Sequence, residues 1–565
     1  MLSRSEALAA IKETEFDIVI IGGGIVGAGI AQDAASRGLK TVVVEKDDFS
    51  SGTSSKTTKL IHGGLRYLEQ FHFRLTRELC HERALLEQLA PHLVKDFSFI
   101  LPIVEKDWLF AMKARAGLTL YDILAGQLAS VKRHEKLNRQ VVLETAPSLS
   151  PELIRGGLKF HDCITDDSRL VIEVLKSAAE MGAVCVNYLK ATGIRLDNGL
   201  VSAVECHDRY SGSDVTLRTR SCVNAAGVWS DQVARMTDSS WKSHVVPAKG
   251  VHIMVPQSAF ETTSALFLPT RDHRYVFVVP WQKALMIGTT DTSFKGDVDN
   301  ALPEPEEVDY LLGVVNEYAG RSVLAREHVI AAWAGLRPLV GASDSSMLKD
   351  ASGNEESTTS TLSREHHLFD GPANMVGLIG GKLTNYRILA GHVVDRILTS
   401  IPGGNTAGQS ETGTTMLGGW GSKQGYLTTS AEISARARKL GIEPATLDHL
   451  IASYGACALE ILDSVERDSY LNKRICPDFP PIMAEVVYVV KSEMAVSLED
   501  ILFRRIRLGL VHQEQTLEAA EKVARLVQGI TGWDDQRTQM ELEAVRRTLK
   551  GHMVFSARAQ VGETV

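Results

Sequence analysis

The chain has 565 residues, 44% of them hydrophobic and 23% charged. A chain of this length can bury a large core without disulfide or metal staples, and its composition excludes disordered and collagen-like classes. With 61 Lys and Arg against 69 Asp and Glu, the formal net charge of -8 argues against a dedicated nucleic-acid binder, which needs a basic face.

The 7 cysteines include no C-x-x-C pair, so reduced thiols are expected and a disulfide framework or a cysteine-rich metal site is not. No run of about 18 uncharged apolar residues is present, so no transmembrane helix is predicted. The segment MLSRSEALAAIKETE lacks the apolar core of a signal peptide and the Arg-rich, acid-poor composition of a transit peptide. A cytoplasmic location is expected.

In chain order, the first strong element is Phe16 to Lys46. Ile18 to Ile21 is a β-branched run that predicts a buried parallel strand. Ile25 to Arg37 has apolar residues at helical spacing, and Gly38 fits a helix stop. Thr41 to Val44 predicts a second buried strand. Residues 50 to 64 read as a loop, and 74 to 90 as a helix. Residues 108 to 130 hold an apolar stretch followed by basic residues. From about 155 to 300 short β-like runs dominate, predicting a largely antiparallel sheet. Residues 341 to 361 read as a polar surface loop and 397 to 427 as a Gly/Ser/Thr-rich linker. Beyond them the pattern is helical, and SLEDILFRRIRL opens with Ser497 and Asp500 at capping-box-like spacing.

Gly22, Gly24 and Gly27 form G-x-G-x-x-G between the predicted strand and helix. The first glycine permits a tight turn, the second lets the backbone approach a pyrophosphate, and the third allows close helix–strand packing. The helix N-terminus adds free N–H donors. Glu45, 18 residues past Gly27, ends the second strand and can accept from ribose hydroxyls. Two later strand–glycine turns, VNAAGVWSD (Val223 to Asp231) and GLIGGKLTNYR (Gly377 to Arg387), supply further grips. One dinucleotide held at three distant segments suits FAD better than a dissociable NAD. The last turn would set N–H donors near the flavin ring, where the reduced form carries negative charge.

GGGIVGAGIAQDAASRGL, SSKTTKLIHGGLRYLEQ, AAWAGLRPLV and GGKLTNYR, in this order, together with SEMAVSLEDILFRRIRLGL, resemble the FAD-dependent glycerol-3-phosphate dehydrogenases. The resemblance runs from about Phe16 past residue 540. It implies an α/β fold in which a Rossmann-like FAD-binding domain is interleaved with a mostly antiparallel β substrate domain, of the glutathione-reductase and D-amino-acid-oxidase type. A C-terminal α-helical domain follows. The FAD segments are expected at about 16–75, 155–230 and 365–397, the substrate segments at 76–154 and 231–364, a linker at 401–427, and the helical domain at 428–565.

The implied reaction is oxidation of sn-glycerol 3-phosphate to dihydroxyacetone phosphate, with electrons passing through FAD to a membrane quinone. Alternatives are an oxygen-using glycerol-3-phosphate oxidase and a related FAD-dependent amino-acid or amine oxidase. A flavin-bound or RNA-associated protein without activity would need a basic stripe with exposed aromatics, which the sequence lacks. The chain carries no calcium-binding EF-hand pattern, which favours a bacterial-type member. No metal is expected.

The resemblance implies the following cofactor contacts. Gly22, Gly23, Gly24, Ile25 and Gly27 form the turn, with Glu45 and Lys46 after the second strand. Thr53, Ser54, Ser55, Lys59, Leu60, His62, Gly63 and Gly64 come from the loop. Ala226, Gly227, Gly380, Gly381, Lys382, Leu383 and Thr384 come from the later turns. For substrate, a phosphate dianion needs cationic forks and the carbinol needs a proton acceptor. Arg66, Arg337 and Lys382 match positions that the family uses, with Arg364 as a further phosphate candidate and Tyr67 as a hydrogen-bonder or pocket wall. Arg337, Lys382 and His252 are the catalytic candidates. His252 is a candidate base, because histidine titrates near neutrality, with a structural role or an Arg-bound water as the alternatives, while His62 is expected to hold cofactor or backbone. Asp166, Asp167 and Arg169 are expected to form a buried polar brace.

A quinone-reducing enzyme without a transmembrane helix must lie on the membrane surface. Trp108, Leu109, Phe110, Lys113 and Arg115 are one candidate patch, and Phe503, Arg504, Arg505 and Arg507 another, though either run also fits an ordinary amphipathic helix packed on the core, the reading favoured for each. A homodimer is a further expectation.

Overall fold

The computed structural model describes residues 1–69, 71–104, 108–126, 132–341, 366–372, 374–401 and 404–552. Ile18–Ile21 is buried at every position, as its β-branched run requires of a strand covered on both faces. It pairs in parallel with Thr41–Val44 on one side and Cys222–Asn224 on the other. The full sheet has six strands, extended by Val184–Val186 at one edge and by Met375–Ile379 and the antiparallel His367–Asp370 at the other. The Ile25–Ser36 helix packs close to the Tyr386–Leu398 helix, because Gly29 removes a side chain: an added Cβ would sit 2.6 Å from the Tyr386 ring.

A second sheet of ten strands carries the antiparallel elements. Lys95–Val104 pairs along its whole length with the antiparallel Ile154–Ile164. Val245–Pro256 pairs with both Ala331–Val340 and Ala284–Gly288. Leu60–Ile61 and Ile154–Ile164 belong to this sheet, whereas the sequence assigned them to the FAD segments 16–75 and 155–230. Length explains the difference: an 11-residue strand overruns the short parallel strands and is satisfied only by an equally long antiparallel partner. A third sheet of four strands, led by Glu15–Phe16, also lies within those FAD segments.

Seven C-terminal helices, from Lys423–Lys439 to Asp535–His552, pack their apolar faces into a core shared with Phe99, Trp281 and Trp333 of the large sheet. The stretch before them is a packed strap rather than a solvated linker. Ser410 Oγ donates to Asp33 Oδ2 at 2.6 Å, Leu417 N to the Leu89 carbonyl at 2.8 Å, and Trp420 Nε1 to His92 Nδ1 at 3.1 Å. Leu417 and Trp420 are buried and anchor an otherwise polar run.

Ser497 and Asp500 make the predicted reciprocal exchange: Ser497 N donates to Asp500 Oδ2 and Asp500 N to Ser497 Oγ. A π-helical turn, Asp500–Arg505, follows. Here one of the two candidate membrane patches packs inward, as the alternative reading had it. Phe503, Arg505 and Arg507 are buried, and all three arginines are ion-paired inward, to Asp48, Asp167 and Asp500. Asp167 and Arg169 do form buried braces, to Lys59 and Glu493 respectively. Among the described residues no helix is long and apolar enough to cross a membrane.

Candidate active site

Three neighbouring strands, Ile18–Ile21, Cys222–Asn224 and Met375–Ile379, run parallel and end at one edge. Ligands bind α/β sheets in the crevice beyond such carboxyl ends. The cleft there is lined by Gly22, Gly24, Ile25, Glu45, Ala226, Gly227 and Gly380 to Thr384. Gly22 has φ +119°, and a Cβ on it would lie 2.5 Å from the Ala225 carbonyl oxygen. Gly27 does not line the cleft; a Cβ there would sit 1.9 Å from the Gly22 oxygen, so its role is helix–turn packing. These cradles, with Glu45 at the second strand's end, fit a dinucleotide.

Glu45 is held by two backbone donors, Gly23 N at 2.7 Å and Asp47 N at 3.0 Å. Burial outweighs those hydrogen bonds and pushes its carboxyl up to about 7. Over the rim, Trp229 Nε1 donates to Asp299 at 2.9 Å, and Lys46 lies 4.1 Å from the Trp229 ring centroid while also pairing with Asp299.

A second cavity opens from the first, and Thr53, Thr58, His62, Arg337, Pro338, Gly380, Gly381 and Lys382 line both. Its remaining wall includes Arg66, Tyr67, Arg274 and the aromatic Phe160, Phe267 and Phe277. Arg337 lies on the Ala331–Val340 strand. It donates to Asp291 Oδ1 and Thr289 Oγ1, each at 3.1 Å. Arg274 donates to the Asp291 carbonyl at 2.9 Å and to Asp272 at 2.7 Å. One residue, Asp291, therefore fixes two guanidiniums. Lys382 Nζ sits 4.8 Å from the Tyr67 ring centroid. Four cations around one cavity create a field suited to a dianion, with two guanidinium forks preset for bidentate contact.

His252 lines the dinucleotide cleft but is poorly placed as a base. Its Nε2 is hydrogen-bonded to Thr58 Oγ1 at 2.9 Å and its ring stacks on Trp333. Burial, reinforced by Arg337 and Lys59, pushes its pKa down to about 3. His62 lines both cavities. Its pKa is lowered by desolvation, with Asp162 pulling the other way and Lys382 and Arg83 adding to the lowering.

Of the expected cofactor residues, Gly23, Gly27, Ser55, Lys59, Gly63 and Gly64 do not line the dinucleotide cleft. Lys59 is buried against Asp167 at 2.9 Å. Gly63 is closed in by Cys80 and Tyr121, and Gly64 lines the second cavity instead. Arg364 lies outside the described residues. Lys56, Thr57, Thr58, Lys190, Trp229 and Gln232 line the cleft, and Arg274 and Asp291 the second cavity, without having been singled out. Thr57 and Thr58 stood in the conspicuous SSKTTK run. Arg274 gave no local signal, since a turn arginine before a β run is common.

Residues 17–361 match the FAD dependent oxidoreductase family, and residues 410–538 match the C-terminal domain of α-glycerophosphate oxidase. Glycerol-3-phosphate dehydrogenase 2 of Mycobacterium tuberculosis is 34% identical over 531 residues, covering 94% of this chain and 87% of that one. The human mitochondrial glycerol-3-phosphate dehydrogenase is 34% identical over 581 residues, covering 99% of this chain and 76% of that one. Among solved structures, the glycerol-3-phosphate dehydrogenase from Bacillus halodurans complexed with FAD superposes with a TM-score of 0.78 at 28% identity, covering 97% of each chain. The L-α-glycerophosphate oxidase of Mycoplasma pneumoniae, with FAD bound, shares the fold at a TM-score of 0.54 and 16% identity, over 71% of this chain and 98% of that one. These whole-length matches and the dinucleotide cleft agree: the chain belongs to the FAD-dependent glycerol-3-phosphate dehydrogenases, and FAD is its cofactor.

Proposed function

We propose that this protein oxidises sn-glycerol 3-phosphate to dihydroxyacetone phosphate and hands the electrons to a membrane quinone. The observation that carries the substrate reading is the second cavity, where Arg66, Arg274, Arg337 and Lys382 surround one space that opens into the cofactor cleft. When bound, FAD supplies the hydride acceptor at N5. Arg337 and Arg274, fixed through Asp291, hold the phosphate dianion, and the aromatic wall excludes water from the carbon chain. Lys382 stabilises negative charge developing at the C2 oxygen. His62 takes the C2 hydroxyl proton, because it, unlike His252, lines both cavities. His252 positions Thr58 and the cleft wall.

The quinone reading is supported by the helical cluster beside the second cavity. Leu65–Glu69, Phe73–Leu89 and Trp108–Ala125 share a small core of Leu68, Cys80, Tyr121 and Ala125. Their outer side exposes Phe71, Phe73, Met112 and Ile123 beside exposed Arg74, Arg77, Lys113 and Arg115. Apolar groups ringed by cations suit a bilayer interface. The side chains of Trp108 and Leu109 lie outside the description.

The test is anaerobic flavin absorbance. Adding sn-glycerol 3-phosphate should bleach the flavin, and a soluble quinone should restore it faster than oxygen does. His62→Asn should slow the bleaching by about 10²–10⁴-fold with FAD retained. No bleaching of folded holoprotein would reject the substrate, and faster recovery with oxygen, with peroxide formed, would replace dehydrogenase by oxidase.

A further inference from the structure

We propose that three arginines of the C-terminal helical region clamp the loop that lines the dinucleotide cleft, so that FAD retention and docking of the C-terminal turn form one coupled equilibrium. The loop runs from Asp47 to Lys59, and its Ser50 to Ser54 and Lys56 to Thr58 face the cleft. Its two ends are held by one turn more than 440 residues downstream. At the start, buried Asp48 accepts from Arg504 Nε at 2.7 Å and from Arg505 Nη1 and Nη2 at 2.8 and 3.0 Å. At the end, Arg507 Nη2 donates to the Ser55 carbonyl at 3.1 Å and to Asp167 Oδ1 at 2.7 Å. The other oxygen of Asp167 accepts from Thr57 N at 3.0 Å and Thr57 Oγ1 at 2.8 Å. Thr58, the next residue, holds His252.

Arg504, Arg505 and Arg507 line neither cavity, so they are positioning residues. Arg507 adopts φ +68°, the left-handed region that a non-glycine residue enters at a cost, and its Nη1 donates to the Phe503 carbonyl at 3.2 Å. Buried ion pairs add little net stability over apolar packing, but removing one partner strands the other charge. Such a set is better at specifying one loop conformation than at stabilising the fold. If FAD favours the clamped loop, then by linkage FAD must favour the docked C-terminal turn by the same factor.

The experiment uses the full chain stripped of FAD and reloaded. FAD affinity is read by flavin fluorescence, and hydrogen exchange is read with and without FAD. Arg504→Gln and Arg507→Gln should each weaken FAD binding by about tenfold or more, with Arg507→Lys recovering part of the loss. In the wild type, FAD should slow exchange in residues 497–511 more than in the Ala458–Arg467 helix, which serves as an internal reference. Wild-type FAD affinity in a folded Arg504→Gln would overturn the clamp. So would equal protection of the turn and the reference helix. If Arg507→Gln does not fold, Arg504→Gln and the wild-type exchange pattern decide.

Discussion

Glu45 ends the second parallel strand with its carboxyl pushed up to about 7 by burial. Its two backbone donors leave it able to accept from ribose hydroxyls only when ionised. Below pH about 7 the free protein holds a proton there that FAD binding must expel, so affinity rises with pH up to that point and then levels. FAD binding should weaken by up to about fivefold between pH 7 and pH 6 and change little between pH 7.5 and 8.5. Titrating apoprotein with FAD across that range checks it, with Glu45→Gln as the flat control; equal affinity of the wild type at pH 6 and 8 would falsify the assignment. The place of Glu45 in the cleft was legible in the sequence because it follows from local spacing from Gly22, Gly24 and Gly27. Arg274 was not, because its meaning comes from Asp291, a partner on another strand connection. The surroundings of His252 were not legible either: its family-like segment was visible, but the burial that lowers its pKa, with Arg337 and Lys59 adding, and the Trp333 ring stacked on it come together only in the fold.

The strap from Ser410 to Ser422 shows what composition hides. Gly, Ser and Thr made it read as a linker, yet Trp420 donates to buried His92 and stacks edge-on against it. Burial, with Lys176, Arg169 and Lys95 nearby, pushes His92 down to about 3. The unfolded chain binds a proton at this histidine near its ordinary value of 6.5, whereas the folded chain does not until about pH 3. Stability is therefore lost as pH falls from about 6.5 toward 3. At pH 5 the loss from this one group is about 2 kcal/mol. Urea unfolding of the holoprotein at pH 7 and pH 5 should show that extra loss in the wild type and not in His92→Gln. The Phe503–Arg507 turn left two readings open, and the fold selects the one packed on the core. Three arginines beside a phenylalanine resemble a membrane-facing helix, and only acceptors as distant as Asp48 and Asp167 reveal them as inward-facing.

At the scale of the whole molecule, the parallel core was readable from its first βαβ unit, but the boundary between the sheets was not, since strand length and pairing partner settle it. The exposed Phe71, Phe73, Met112 and Ile123 carry a prediction of their own. Vesicles containing anionic lipid should retain the protein, and Phe71→Ser with Ile123→Ser should release it while leaving turnover with a soluble quinone intact. Unchanged retention of the double variant would remove this face from the membrane. The clamp also sets a timetable for biosynthesis. Asp48 leaves the ribosome long before its partners Arg504 and Arg505, about 20 to 90 s earlier at ordinary elongation rates. The strand Cys222–Asn224 likewise waits for Met375–Ile379. A nascent chain thus carries a complete glycine turn with an unfastened loop until late in its synthesis, so under the clamp cofactor capture follows, rather than nucleates, folding of the N-terminal βαβ unit.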